Sequence, residues 1–252
     1  MKLAITVVLV LTGCVIDEEQ AEDLSTESSD LLSSNRIALN GITLNRSEMV
    51  AAAAGSLASA PTRVPSLFST SEGRERFAYM VSCSLKSDKT ITATVAGVTY
   101  TYAGSVGLAD DWATKALPPK TYGWVSACML ARTNYFGISV AISLRGPGIS
   151  TAGSEKDAFT VLEGAFWGDL FSPNGKLYAC PSPLKLSGST TSTLPLRECT
   201  VSLDGATTKC GFIYGGDCST ICGRDAASGG YKDCKAGGIK GAAVASVFLA
   251  NP

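Results

Sequence analysis

The stretch TITATVAGVTYTY, residues 90 to 102, carries the clearest structural pattern in the chain. Apolar side chains alternate with threonine from Thr90 to Val95, and valine and tyrosine alternate with threonine from Val98 to Tyr102. Alternation with a period of two is typical of a half-buried strand, and Ala96-Gly97 suits a two-residue turn. The stretch therefore predicts a β-hairpin with one apolar, aromatic face and one threonine face.

Two helices are predicted on either side of this hairpin. Residues 72–85 (EGRERFAYMVSCSL) place apolar side chains near helical spacing, and residues 121–134 (TYGWVSACMLARTN) are apolar nearly all round. A helix that is apolar on every side is typical of a domain interior, so we expect the second helix to be buried. Short strands are predicted at 138–145 and 177–180, and the run 242–250 predicts a strand or a short packed tail. Together these elements predict an α+β domain.

Nine cysteines in 252 residues indicate an oxidising compartment. With Cys14 set aside, the remaining even number implies four disulfides that staple a single domain with a cysteine-rich C-terminal part. These cysteines are Cys83, Cys128, Cys180, Cys199, Cys210, Cys218, Cys222 and Cys234. We pair Cys83 with Cys128, because they are the only two before residue 180. We expect Cys218 and Cys222 to bond to different partners among the other four.

The composition excludes several classes of function. A formal net charge of −1 argues against a nucleic-acid-binding protein that relies on bulk positive charge. The absence of histidine removes serine–histidine and cysteine–histidine catalysis and imidazole metal sites. The sequence lacks the paired C-x2-C motifs of a zinc site, and Asp110-Asp111 lacks the pattern of a calcium-binding loop. No S-x-x-K motif indicates serine–lysine catalysis. We expect no metal and no cofactor.

The N-terminus resembles the signal peptide of bacterial lipoproteins. Lys2 precedes a nine-residue apolar run, and Leu11-Thr12-Gly13-Cys14 matches the lipobox of that family. The resemblance implies that residues 1–13 are removed, that the Cys14 thiol receives a diacylglyceryl group, and that a further acyl chain such as palmitate is added. Val15 in place of aspartate implies the outer membrane. An ordinary secreted protein is the alternative.

A spacer with a different charge follows the lipobox. Between Val15 and Ser34 there are seven acidic and no basic residues, so this stretch is expected to stay solvated. From Asn35 onward the chain has 20 basic and 15 acidic residues, a net charge of +5. Residues 35–45 resemble Leu-Asn-Gly-x-x repeats of exported bacterial proteins, and 47–70 are rich in Ala, Ser and Pro. We therefore predict a disordered tether over 14–70 and a single α+β domain over 71–252.

The body of the chain resembles a group of uncharacterised exported, cysteine-rich proteins and lipoproteins. The resemblance covers roughly residues 35 to 235. It rests on four motifs: GLADDW at 107–112, VSACMLA at 125–131, WGDLF at 167–171 and GDCSTIC at 216–222. It implies one domain, and it carries over no activity and no catalytic residue.

A lipid-anchored envelope protein with a binding or structural role, and no catalysis, is the function these observations favour. The membrane is reached through the lipid on Cys14, and an envelope protein or glycan is the expected partner. The alternative is an envelope carbohydrate-active enzyme, because two carboxylates can hydrolyse a glycosidic bond without histidine. Its candidates are Glu163 and Asp169, which flank Phe166-Trp167. A third hypothesis is a protein-binding module that uses the threonine face of the hairpin.

Overall fold

The computed structural model describes residues 33–34, 37–38, 45–136, 140–183 and 197–250. Over these ranges helices combine with small sheets, which confirms the predicted α+β class. The lipobox with Cys14, and most of the predicted tether before residue 45, lie outside the described residues and stay predictions. None of the helices in the described ranges is both long and apolar enough to cross a membrane.

A six-stranded sheet organises the fold. Its strands, in spatial order, are β1 (Ser33–Ser34), β6 (Ala141–Arg145), β14 (Ala245–Leu249), β7 (Val161–Gly168), β8 (Leu177–Pro181) and β9 (Ile213–Tyr214). Strand β14 is antiparallel to both of its neighbours, and all five of its residues are buried. A strand covered on both faces reads as a continuous apolar run, which explains the sequence of 242–250. This run is therefore an interior strand and not a packed tail.

Four two-stranded sheets accompany the main sheet. They are β2 (Ile37–Ala38) with β5 (Thr133–Asn134), β3 (Thr90–Val95) with β4 (Val98–Ala103), β10 (Gly223–Arg224) with β11 (Tyr231–Lys232), and β12 (Cys234–Ala236) with β13 (Ile239–Gly241). The hairpin β3–β4 is confirmed, with Ala96 and Gly97 at φ of 50° and 83° in its turn. Its apolar face is buried at Ile91, Ala93 and Tyr102 and exposed at Val98 beside the turn, and the ring of Tyr102 lies 4.9 Å from that of Phe77.

In the part of the chain that the structure describes, six α-helices accompany these strands. They are α1 (Arg46–Ala53), α2 (Ala60–Arg63), α3 (Ser71–Ser84), α4 (Tyr122–Ala131), α5 (Gly153–Ala158) and α6 (Cys218–Ile221). Helices α3 and α4 confirm the two predicted helices. The Thr70 hydroxyl caps α3 by accepting the N–H of Gly73 at 3.1 Å. Every residue of α4 from Val125 to Ala131 is buried, and this helix lies between α3 and the strands β7 and β14.

The predicted tether extends too far into the domain. Residues 45–70 form α1, α2 and two short 3₁₀ turns, and Met49, Leu57 and Leu67 are fully buried. Burial of these apolar side chains overrides the linker-like composition. Pro61 and Pro65 lie in the first turns of helices, where a missing N–H costs nothing. Within the described ranges, the domain therefore begins before residue 71.

Strand β7 was not predicted from the sequence, and an irregularity in its pairing explains why. Phe248 of β14 lies opposite Leu162, but its neighbour Val247 lies opposite Gly164. Glu163 is therefore an extra residue, a β-bulge that breaks the alternation of buried side chains. The bulge turns Glu163 and Phe166 toward α4, while Trp167 belongs to a separate apolar cluster.

Candidate functional site

All eight cysteines of the domain form disulfides. The pairs are Cys83–Cys128, Cys180–Cys218, Cys199–Cys210 and Cys222–Cys234. The predicted bond between Cys83 and Cys128 is confirmed, and it joins α3 to α4. Cys218 and Cys222 bond to different partners, as expected. These disulfides are compatible with an extracytoplasmic protein.

Three sulfur atoms lie close together at the end of the domain. Those of Cys180, Cys222 and Cys234 are within 4.8 Å of one another. Each belongs to a disulfide, so the thiolates that a metal ion needs are not present. This cluster is therefore the place where two disulfides lie next to each other.

Glu163 lies in a buried ion pair and not in a cleft. Its Oε2 accepts a hydrogen bond from Nη1 of Arg197 at 3.0 Å, and the Arg197 side chain is fully buried. Nη2 of Arg197 also donates to the carbonyls of Ala131 and Thr133. Burial raises the pKa of the Glu163 carboxyl, and the charge of Arg197 opposes that rise. The pair ties β7 to the C-terminal end of α4.

Asp169 has a separate structural task. Its Oδ1 accepts the N–H groups of Phe171 and Ser172 at 2.8 and 3.0 Å, and its Oδ2 accepts the hydroxyl of Ser172 at 2.5 Å. This carboxylate therefore organises the turn after β7. Glu163 is not among the residues that line the cavity beside Asp169. The alternative hypothesis, which pairs these carboxylates in one cleft, is thus wrong. Glu163 is buried in an ion pair with Arg197, and Asp169 accepts hydrogen bonds from its own turn.

A groove lies where β7, β8 and β13 meet the beginning of α4. Its volume is about 500 Å³, and four segments contribute its lining: 119–124, 167–169, 174–178 and 239–243. Ligand sites of small molecules usually have roughly 300 to 1,000 Å³, so this groove is large enough to hold a ligand. We call it the α4 groove.

Aromatic rings supply much of the lining of the α4 groove. Trp167 and Tyr178 stack with centroids 5.4 Å apart and an interplanar angle of 6°, and both are buried. Tyr122 and Trp124, at the start of α4, are half-buried and present partly accessible rings. The indole N–H of Trp167 is buried, and the described residues offer it no hydrogen-bond acceptor. The lining is therefore rich in apolar ring surface.

The exposed part of the lining is cationic. Lys120, Lys176 and Lys240 come from three different segments, and Asp169 is the one carboxylate among the lining residues. Lys240 is 3.0 Å from Asp233, and both side chains are at least half exposed. The guanidinium of Arg46 lies behind the same turn, where Nη1 donates to the carbonyls of Asp169 and Ser172.

Two glycines allow the walls of the α4 groove to approach each other. A Cβ on Gly241 of β13 would lie 2.4 Å from Cδ1 of Trp167, so the strand backbone rests directly on the indole. Gly168 has a φ of +144°, and a Cβ there would lie 2.3 Å from the carbonyl oxygen of Lys176. Side chains larger than hydrogen would therefore move the walls apart.

Disulfides hold one wall of the α4 groove in place. The hairpin β12–β13 is bound to the end of α6 by Cys222–Cys234, and α6 is bound to β8 by Cys180–Cys218. Tyr178 of β8 is a neighbour of Gly237 at the tip of this hairpin. The two disulfides thus fix the position of the hairpin β12–β13, whose strands have only three residues each.

The threonine face of the hairpin β3–β4 is solvent-exposed, as predicted. Thr92 lies opposite Thr101, and Thr94 opposite Thr99, with the hydroxyl oxygens of the second pair 3.0 Å apart. The face is a regular hydroxyl surface. Its use as a protein-binding surface stays a prediction.

The α4 groove was missed in the sequence because its residues are spread over more than 100 positions. Within WGDLF at 167–171, the sequence predicts sugar chemistry from Asp169 and Glu163 beside Trp167 and gives no sign of a groove. The tyrosine of β8 and the lysines gave no local signal. No model of a protein family, no curated protein and no solved structure matches this chain.

Proposed function

We propose that this chain is a lipid-anchored protein of the cell envelope with a binding role, and that the α4 groove is its ligand site. The lipobox at Leu11–Cys14 supports the anchor, and Val15 after it supports the outer membrane. Four disulfides suit an oxidising compartment. The observation that carries the binding role is the groove, with the half-buried rings of Tyr122 and Trp124 in its lining.

A saccharide segment of an envelope glycan is the ligand that suits this lining. Sugar rings have apolar faces that stack on aromatic side chains, and their hydroxyls need hydrogen-bond partners around the rings. Tyr122 and Trp124 supply ring surface, and Asn174 with the three lysines supplies polar groups. Because both candidate carboxylates are engaged, this groove binds a sugar without cleaving it.

One experiment with two measurements tests the anchor and the groove together. The full chain is expressed in a bacterial host that processes lipoprotein signal peptides. Four forms are compared: wild type, Cys14→Ser, Trp124→Ala and Phe136→Ala. Phe136 is the matched control, an exposed aromatic residue outside the groove lining. The measurements are the membrane-bound fraction with the intact mass, and binding to envelope oligosaccharides followed by intrinsic fluorescence.

We expect Cys14→Ser to release the protein from membranes and to abolish the acyl mass. We expect Trp124→Ala to weaken sugar binding by about tenfold or more, as loss of a central aromatic contact does, while Phe136→Ala binds normally. Wild type without acyl chains would overturn the anchor. Equal binding by the two aromatic variants would overturn the assignment of the groove.

A further inference from the structure

We propose that the ligand of the α4 groove is an anionic saccharide, a sugar that carries a phosphate or carboxylate group. This inference rests on the proposed binding function and specifies its ligand. The observation behind it is the juxtaposition of half-buried aromatic rings with three lysines that converge from separate parts of the chain.

The lysines of the groove have little competition from neighbouring acids. Within the described ranges, Lys120 and Lys176 form no ion pair, and Lys240 shares a solvent-exposed one with Asp233. The single lining carboxylate, Asp169, already accepts three hydrogen bonds from its own turn. The lining therefore has three positive charges against the one negative charge of Asp169, an excess that a negatively charged ligand can use.

The backbone of the groove adds to this positive potential. Tyr122 and Gly123 are the first two residues of α4, a ten-residue helix, and both line the groove. The N-terminal end of a helix carries a partial positive charge that favours anions. The helix terminus thus adds to the lysines in favouring a negatively charged ligand.

Isolated surface lysines usually face only water, but these lysines border a concave site. Charges of one sign around a cleft with low-dielectric walls concentrate the field inside it. The buried rings of Trp167 and Tyr178 form such a wall, and the half-buried rings of Tyr122 and Trp124 hold a sugar face beside the lysines. A free anion would use the lysines but leave the rings uncovered.

The test measures equilibrium binding of defined probes to the full acylated chain in detergent. The probes are a trigalacturonate for the carboxylate, a glucose phosphate for the phosphate, maltotriose as the neutral sugar, and inorganic phosphate. The variant is Lys120→Gln/Lys176→Gln. The matched control is Lys86→Gln/Lys115→Gln, two exposed lysines that do not line the groove.

We expect at least one anionic sugar to bind about tenfold more tightly than maltotriose, with an affinity that falls as salt increases. The Lys120→Gln/Lys176→Gln variant should lose this advantage, and the control should keep it. Preference for the trigalacturonate or for the glucose phosphate identifies which anion the groove serves, and either result supports the proposal.

Three results would overturn the inference. In the first, maltotriose and the anionic sugars bind equally and the lysine variant changes nothing, while Trp124→Ala still abolishes binding; the proposed function then survives alone. In the second, inorganic phosphate competes as well as the glucose phosphate, so that the rings contribute nothing. Failure of every sugar to bind, with no effect of Trp124→Ala, would overturn the proposed function as well.

Discussion

Two regions of this molecule reach stability by different means. The first, residues 45–131, buries large side chains of α1, α3, α4 and the hairpin β3–β4, and contains a single disulfide. The second, residues 197–241, has strands of two or three residues and a four-residue helix, but takes part in three disulfides. Where short elements bury little apolar surface, covalent bonds replace packing. The α4 groove lies between the two.

Arg197 of the second region donates to the carbonyl of Ala131 in the first and also forms the buried ion pair with Glu163 of β7. Removing its side chain tests how strongly the two regions depend on each other. Arg197→Met removes the partner of Glu163 and the donors to Ala131 and Thr133. Loss of one member of a buried pair typically costs about 3–5 kcal/mol, and we expect a decrease of that size in the free energy of unfolding. Equilibrium urea denaturation under non-reducing conditions measures it.

The double variant Glu163→Gln/Arg197→Met is the control for this prediction. It leaves no unpaired charge, so it should recover part of the lost stability. If single and double variants are equally unstable, the loss comes from the missing contacts of Arg197 and not from an unpaired charge on Glu163.

Removing a staple is the second way to test the comparison. Cys222→Ser/Cys234→Ser should decrease stability by about 2–4 kcal/mol and free the hairpin β12–β13. Hydrogen exchange should then increase over residues 234–241, while the amides of α3 and α4 remain protected, since packing holds that region. Sugar binding should weaken with it, because the hairpin forms a wall of the α4 groove.

The matched variant removes the disulfide of the packed region. Cys83→Ala/Cys128→Ala should leave the hydrogen-exchange pattern of α3 and α4 close to that of the wild type in native buffer. Selective loss of protection in α3 and α4 would mean that both regions depend on covalent bonds.

Acidification is the third test and has the smallest expected effect on stability. It uses one aspartate in each region. A hydrogen bond from Lys89 lowers the pKa of Asp110, and hydrogen bonds from Ser228 lower the pKa of Asp225. A carboxyl whose pKa is lowered by folding stabilises the protein above its unfolded pKa, and this contribution is lost as pH falls through the folded pKa. Asp110→Asn and Asp225→Asn should thus be less stable than wild type at pH 7 and converge with it near pH 2.

Urea denaturation at the two pH values measures this effect. Both aspartates lie near the surface, so solvent screening keeps the effect small. A stability difference that persists unchanged at the lower pH would show that the lost contacts are not electrostatic.

The parts of the fold that follow local rules were predictable. Alternation gave the hairpin at residues 90–102, helical spacing gave α3, and the apolar character of 121–134 gave the buried α4. The order of cysteines along the chain was sufficient for Cys83–Cys128. Each of these features is determined by neighbouring residues or by simple order.

The rest depends on tertiary contacts that no local pattern reports. The helices within 45–70 are fixed by burial of Met49 and Leu57, although their composition is that of a linker. Proximity in sequence groups Glu163 with Asp169, but the bulge turns Glu163 toward Arg197. The α4 groove needs four segments to meet, so only the structure reveals it.

The position of β14 has a consequence for how this chain is made. Strand β14 lies between β6 and β7, and it follows both of them in the order of synthesis. Until residues 245–249 reach the compartment in which the chain folds, β6 and β7 each present an open edge, and the sheet cannot close. Open edges recruit other strands, so the incomplete domain is exposed to aggregation until the last strand of the sheet arrives. A chaperone that covers these edges would act until β14 is in place, and folding would then finish in one late step.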